Sequence, residues 1–185
     1  LVLEYISSSG TEDGTIYNNC IFQRHRYESA IFISNSCNTN HSFINCIIQD
    51  NIISGVNCGS SLYASNNDFN DKSEFTISIE GCIFQNNIGV GEGGGISISS
   101  NNLGFLKDSQ FINNSVIKKE LSKANGGGLC IYQRNEMIIT NITFKENKSE
   151  NNGGGLNIIF NGVYKYYPLF VENCTFIRCT STNGG

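Results

Sequence analysis

The chain has 185 residues, a formal net charge of −4 and only 15% charged residues. It therefore offers no basic surface of the kind that binds nucleic acid or anionic lipid, and no apolar run approaches the roughly 20 residues of a membrane-spanning helix. Strand-favouring residues are common and helix formers are scarce. The eight cysteines suggest an oxidising compartment. They form no CxxC pair and no Cys/His cluster with zinc spacing, so neither a metal site nor a cofactor is predicted.

In chain order, a short alternating run recurs six times with a large apolar residue at its centre. This first column consists of Phe22, Ile48, Phe84, Phe111, Phe144 and Phe176. The column two residues earlier consists of Cys20, Cys46, Cys82, Ser109, Ile142 and Cys174. Because residues two apart on a strand share a face, both columns are expected to point inward. Asn tolerates left-handed backbone and bonds its own main chain, which suits a bend. A bend is therefore predicted three residues after the first column, at His25, Asn51, Asn87, Asn114, Asn147 and Cys179.

A second run follows each bend and begins with small residues, which allow a tight corner or a close backbone approach. The small pairs are Ser29-Ala30, Ser60-Ser61, Gly94-Gly95, Gly127-Gly128, Gly154-Gly155 and Gly184-Gly185. The apolar residue that comes next recurs every 27–34 residues, at Ile31, Leu62, Ile96, Leu129 and Leu156. A third apolar run, such as Phe75–Ile79 or Leu169–Val171, closes the unit. About three short strands are therefore predicted per unit.

Such a unit cannot bury its own apolar face, whereas stacking the units at roughly 4.8 Å does so. The sequence therefore predicts an all-β fold, a right-handed parallel β-helix (β-solenoid) of about six coils. It is expected to form a single domain over residues 1–185, open at both ends, with the column from Phe22 to Phe176 as one interior stack. An antiparallel sandwich would not need like residues in register at the coil period.

Phe-x-x-Asn is paired with Gly-Gly-Ile or Gly-Gly-Leu, as at Phe84–Asn87 and Gly94–Ile96. This pairing resembles the repeats of chlamydial polymorphic outer-membrane proteins and of similar surface proteins of microbial eukaryotes. The resemblance covers nearly the whole chain and implies a pectin-lyase-like β-solenoid. It also implies a surface-exposed adhesin, located outside the cell or at the cell surface.

The two ends of the sequence fit each other, because Gly184-Gly185 followed by Leu1-Val2-Leu3 matches the pattern of Gly154–Ile158. No amphipathic cap helix is predicted at either end, where a free solenoid exposes apolar rungs and unpaired strand edges. The expected partners are therefore copies of the chain stacked head to tail, and a segment of a longer solenoid is the alternative. The predicted function is that of a structural extracellular glycoprotein in a fibre. A cell-surface adhesin or carbohydrate-binding module is the alternative.

The sequence predicts no enzyme and no catalytic residues. Enzymes with this fold, such as polygalacturonases and pectate lyases, use Asp clusters with basic partners on one outer face. Here Asp is sparse, and Asp50 and Asp108 fall in different columns. The nearest approach to a calcium or acid-pair site, Asn67–Asp71, is predicted to be a solvated loop. His25 and His41 have no evident nucleophile as a partner.

N-linked glycans are the predicted modification, at Asn-x-Ser/Thr sites. Asn141 and Asn173 lie three residues before the first column and should face outward, so they are expected to carry glycans first. Asn40, in a polar stretch, and Asn113, just past its strand, are expected next. Asn147 also has the required spacing, but it lies in the bend column, where both a buried and an exposed side chain are alternatives. A glycan coat would help to keep so weakly charged a surface soluble.

Two further contacts are open alternatives. If copies stack, Cys174 lies one rung from Cys20 of the next copy, and roughly 4.8 Å is within the Cα separation that a disulfide accepts. A ladder of reduced, buried thiols is the alternative. Tyr164, Tyr166 and Tyr167 form an aromatic-rich loop that is predicted either to contact sugar or a neighbouring fibre, or to fold back on its own coil.

Overall fold

The computed structural model describes residues 14–35, 40–54, 60–66, 75–99, 102–119, 123–132, 136–159 and 168–184. Within these ranges the chain forms short β-strands and no helix. The strands fall into four sheets in which all neighbours are parallel, and consecutive strands along the chain belong to different sheets. Each strand pairs with the equivalent strand of the next coil, so the chain winds as a parallel β-helix, as predicted.

The four sheets are numbered in the order in which a coil passes through them. Sheet 1 contains β1 (Thr15–Asn18), β4 (Asn40–Ile44), β7 (Phe75–Glu80), β11 (Asn102–Lys107), β15 (Glu136–Thr140) and β19 (Leu169–Glu172). Sheet 2 contains β2 (Ile21–Gln23), β5 (Ile47–Gln49), β8 (Ile83–Gln85), β12 (Gln110–Ile112), β16 (Thr143–Lys145) and β20 (Thr175–Ile177). Sheet 3 contains β9 (Ile88–Val90), β13 (Ser115–Ile117), β17 (Lys148–Asn152) and β21 (Thr180–Asn183). Sheet 4 contains β3 (Ile31–Asn35), β6 (Leu62–Asn66), β10 (Ile96–Ser99), β14 (Leu129–Tyr132) and β18 (Leu156–Ile159).

Sheet 3 corrects the prediction of three strands per unit, because coils three to five each contain a fourth strand, and coil six also has a strand in this sheet. In the first two coils its place is taken by isolated parallel bridges, from Arg26 to Ile52 and from Ile52 to Ile88. The sheet 3 strands are short, and some are almost entirely polar, as Lys148–Asn152 is. They therefore lack the apolar alternation that identifies a strand in a sequence.

The predicted interior stack is confirmed. Sheet 2 aligns its six members in register, from Phe22 opposite Ile48 to Phe144 opposite Phe176. The ring centroids of Phe84 and Phe111 lie 4.9 Å apart, and those of Phe111 and Phe144 lie 5.0 Å apart, with nearly parallel planes. The first five members are fully buried. Burial of one such Phe side chain contributes about 1.5–3 kcal/mol.

Two corners with left-handed backbone bracket each strand of sheet 2. The first corner has φ between 51° and 64° and is formed by Asn19, Asn45, Gly81, Asp108, Asn141 and Asn173. The second has φ between 49° and 61° and is formed by Arg24, Asp50, Asn86, Asn113, Glu146 and Arg178. The predicted bend is therefore real, but its left-handed residue comes one position before the Asn column. The asparagines themselves point into the interior, where they bond to neighbouring coils.

The cysteine column faces inward, as predicted. The Cys46 and Cys82 thiols are buried and donate to the carbonyls of Ile44 and Glu80, two residues before each, at 3.4 Å. Ser109 takes the same role through its hydroxyl, which donates to Lys107 O at 2.8 Å. The cysteine and serine side chains of this column therefore satisfy carbonyl groups at the corner between sheets 1 and 2.

Three glycine corners bring adjacent coils into close contact. A Cβ added to Gly94 would lie 2.3 Å from the carbonyl oxygen of Gly127, and one added to Gly127 would lie 2.4 Å from that of Gly154. Because no side chain fits at such distances, only glycine allows this approach. The predicted close approach of the backbone is thus confirmed for these coils.

Candidate functional site

The sixth coil exposes residues at positions that are buried elsewhere in the solenoid. Phe176 is 52% exposed and Val171 is 40% exposed, whereas the equivalent Phe144 and Ile139 of coil five are fully buried. In the part of the chain that the structure describes, β19, β20 and β21 each pair on one side, with coil five. The sixth coil therefore combines an apolar interior face with open strand edges.

Two half-exposed thiols belong to this coil. Cys174 Sγ donates to Glu172 O at 3.2 Å, so it has the same corner role as Cys46 and Cys82. Cys179 Sγ donates to Phe144 O at 3.4 Å from a position that holds Asn in coils two to five. Cys174 thus stands at the opposite end of its column from Cys20, which is also half-buried.

Among the cysteines that the structure describes, all six are free: Cys20, Cys46, Cys82, Cys130, Cys174 and Cys179. Hydrogen bonding with Cys46, followed by burial, raises the pKa of the Cys82 thiol. Cys82 is therefore a neutral thiol at neutral pH. A disulfide between Cys20 and Cys174 of stacked copies stays a prediction, because a bond between two copies is not something one chain can display.

The buried asparagines form a continuous ladder through coils two to five. Each side-chain amide donates to the side-chain oxygen of the next, from Asn51 to Asn87 at 2.9 Å, Asn87 to Asn114 at 2.9 Å and Asn114 to Asn147 at 3.0 Å. The same amides donate to sheet 2 carbonyls of the previous coil, as Asn87 does to Ile48 O at 2.9 Å. The ladder continues to coil six, where Asn147 Nδ2 lies 3.9 Å from Cys179 Sγ.

The four predicted glycan sites are all exposed, whereas Asn147 is fully buried in the ladder. Asn113 donates to Asn86 Oδ1 at 3.0 Å and Asn141 donates to Asp108 Oδ1 at 2.8 Å. Attachment of glycans to these four asparagines stays a prediction: Asn40, Asn113, Asn141 and Asn173.

A cluster that was not predicted from the sequence lies where the chain passes from sheet 3 to sheet 4. The Tyr132 hydroxyl donates to the Glu92 carboxylate, and Asn125 hydrogen bonds to the same group. Burial raises the pKa of Glu92, against the opposing effects of Tyr132, the Lys123 charge and Asn125. Burial, followed by the Glu92 charge, raises the pKa of Cys130 to about 12, so this thiol is not a ready nucleophile.

The arrangement ties coils three, four and five together. Glu92, Asn125 and Asn152 occupy one column of parallel bridges before the glycines. Asn125 Oδ1 in turn accepts from Asn151 at 2.9 Å and from Asn152 at 3.1 Å. The sequence does carry a signal for this cluster, because Glu92 occupies the position before glycine that holds Asn in the neighbouring repeats.

The other predicted positions fall in different parts of the molecule. His41 is buried in β4, where burial lowers its pKa, and His25 donates its backbone N–H to Asn51 Oδ1 at 2.9 Å. Tyr164, Tyr166, Tyr167, the Asn67–Asp71 stretch and the two chain ends at Leu1 and Gly185 lie outside the described residues. Over the described ranges no three His, Cys, Asp or Glu side chains are grouped so as to hold a metal ion.

In those same ranges, no helix has the length and apolar character that crossing a membrane requires. Comparison with known proteins gave no match to the chain, whether among family models, curated proteins or solved structures.

Proposed function

We propose that the protein is a structural, extracellular β-solenoid glycoprotein whose coil stack continues beyond the sixth coil. The continuation is either a copy of the chain stacked end to end in a fibre or a further coil of a longer solenoid. The observation that carries the proposal is the exposure of Phe176 in a column whose other five members are fully buried.

A further coil would cover the side chains of Phe176 and Val171. Burying an apolar side chain of this size contributes about 1.5–3 kcal/mol, and Val171 adds to the gain. A further coil would also pair the open edges of β19, β20 and β21, which otherwise invite association with other strands. Exposed asparagines with glycan-acceptor spacing, such as Asn173, support the proposed extracellular setting.

The test compares two neighbouring residues of β20 that point to opposite sides. Phe176 faces the open end, and Ile177, which is 38% exposed, faces outward from sheet 2. We expect the purified chain to form end-to-end oligomers in sedimentation velocity and electron microscopy. Phe176→Lys should weaken this association by about tenfold or more, because it places a charge in the buried junction. Ile177→Lys should leave it unchanged.

End-to-end stacking of copies fails, and only the longer solenoid is left, if the wild-type chain stays monomeric at high concentration. The role given to Phe176 fails if both variants weaken association equally. Circular dichroism of the two variants shows whether each remains folded. Both substitutions lie in the last described coil, so loss of folding should affect the two alike.

A cell-surface adhesin or carbohydrate-binding module is the second candidate. The resemblance to repeats of chlamydial polymorphic outer-membrane proteins supports it, and so does one surface feature. Phe32 and Tyr63 stack on the outer face of sheet 4 with ring centroids 5.4 Å apart and an angle of 15° between planes. The Tyr63 and Ser99 hydroxyls lie 3.4 Å apart beside them. Aromatic faces next to hydroxyl groups suit sugar rings, and saturable binding to a polysaccharide would favour this candidate.

A further inference from the structure

The outer face of sheet 1 carries an apolar stripe in coils four to six. Phe105, Ile138 and Phe170 are in register on β11, β15 and β19, and are 37%, 50% and 54% exposed. Their neighbours along each strand, such as Met137 and Ile139, are buried in the interior. Large apolar side chains that are adjacent and exposed mark an interaction site more often than the same residues scattered singly.

We propose that this stripe pairs two copies of the chain side by side, with their solenoid axes antiparallel. The pairing is separate from the end-to-end stacking proposed above, because it uses the outer face of sheet 1 rather than the open sixth coil. In this arrangement a two-fold axis parallel to the strands passes through Ile138. Phe105 of one copy then faces Phe170 of the other, and Ile138 of one copy faces Ile138 of the other.

Charge next to the stripe favours a second copy over another partner. Lys107 and Glu172 lie two residues beyond Phe105 and Phe170, on the same side of the stripe. Lys107 lies one coil above Thr140, and Glu172 lies one coil below it. Because the two-fold axis exchanges the coils above and below, Lys107 of each copy lies opposite Glu172 of the other. A surface that carries both members of an ion pair at equal distances from its centre is complementary to itself.

One residue opposes the pairing, and its effect reports the direction of the pair. Glu136, exposed two residues before Ile138, faces Glu136 of the other copy across the same axis. If the solenoid axes were parallel instead, the strands of the two copies would run in opposite directions. Glu136 of one copy would then face Thr140 of the other. The like charges at Glu136 are therefore a signature of the antiparallel arrangement, in which Glu136→Gln should tighten the pair.

The first experiment measures pairing by sedimentation equilibrium in a Phe176→Lys background, where end-to-end stacking is suppressed. We expect Ile138→Lys to weaken pairing by about tenfold or more, because it places two lysines on the axis. Ile16→Lys is the matched control. Ile16 lies in the same column in coil one, is 70% exposed and is separated from the stripe by Ser42 and Ser78, so its substitution should have no effect.

The second experiment tests the direction of pairing. Lys107→Glu and Glu172→Lys should each weaken pairing, and the double variant should restore part of it, because the cross-copy ion pairs reform with their signs exchanged. Recovery is partial because Lys107→Glu also removes the ion pairs that Lys107 makes within its own chain, with Glu80 and Asp108 at 3.4 Å. Glu136→Gln should tighten pairing by about threefold. The proposal is overturned if the background chain forms no pairs, if Ile16→Lys and Ile138→Lys act alike, or if the double variant brings no recovery.

The two proposals fail in distinguishable ways. End-to-end assemblies keep the width of one solenoid in electron micrographs, whereas stripe-mediated pairs have twice that width. If Phe176→Lys leaves long assemblies intact, the proposed function fails, and the widths still report on the stripe. If the widths never double, the stripe proposal fails and the end-to-end result stands.

Discussion

At the scale of single residues, the asparagine column shows what sequence periodicity can and cannot identify. The repeat reveals that one position of the coil is occupied by Asn51, Asn87, Asn114 and Asn147. The prediction of a bend beside this position is confirmed. Asn accepts left-handed backbone and also bonds readily when buried, so composition alone does not separate the two roles. Which of the two roles an asparagine takes depends on the neighbouring coils, which supply both hydrogen-bond partners of each buried side-chain amide.

Replacing Asn87 by Ala should strongly destabilise the fold. The fully buried Asn87 accepts from Asn51 Nδ2 at 2.9 Å and donates to Asn114 Oδ1 at 2.9 Å and to Ile48 O. Its loss leaves several buried polar groups without partners, at about 1–3 kcal/mol each. Urea unfolding should therefore show a loss of about 3 kcal/mol or more.

The neighbouring Asn86→Gly is the control for this measurement. Asn86 is exposed and has a φ of 54°, which glycine adopts without strain. Its hydrogen bonds to Asp50 and from Asn113 are on the surface, so a loss of about 1 kcal/mol or less is expected. Equal losses in the two variants would contradict the ladder as a source of stability.

At the scale of strands and corners, the sequence predicts best where the coils repeat in register. The corner between sheets 1 and 2 keeps a constant spacing, so the columns that contain Cys82 and Phe84 align by eye in the sequence. The fourth strand was missed because segments such as Lys148–Asn152 are polar. The Glu92–Tyr132 contact was missed because it joins residues of different coils and occurs at one place in the repeat.

The Glu92 contact predicts a specific pH dependence. Because burial raises the pKa of folded Glu92 above its ordinary value of 4.5, the folded protein holds this proton more tightly than the unfolded chain does. The resulting stability is fully present below the ordinary pKa and is lost as the pH rises through the raised pKa of the folded state. Glu92→Gln cannot ionise and keeps an oxygen that accepts from Tyr132. Its stability should therefore fall less than that of the wild type between pH 4.5 and neutral pH.

Chemical unfolding over a pH series checks this, with Glu28→Gln as the control because Glu28 is exposed. The control should follow the wild-type curve. Parallel curves for Glu92→Gln and the wild type would show that this carboxyl group keeps an ordinary pKa in the folded protein.

At the scale of the whole molecule, the solenoid presents two surfaces that differ in chemistry. Over the described residues, the sixth coil exposes apolar interior side chains and has strand edges that pair only with coil five, which suits another coil of the same geometry. The stripe of Phe105, Ile138 and Phe170 is flanked by Lys107 and Glu172, which suits a second copy turned end for end. Periodicity predicts the first surface, since any coil of such a repeat matches the next. The second depends on outward residues that do not repeat, so only the structure reveals it.

Cryo-electron microscopy of the assembly from its native source can show whether the coil stack continues past the sixth coil. Six rungs spaced at roughly 4.8 Å give a stack of about 30 Å. We expect rods longer than this, with the rung spacing continuing without a break past Phe176 and Val171. Isolated particles of about 30 Å, with a cap of different structure over the sixth coil, would contradict a continuing stack.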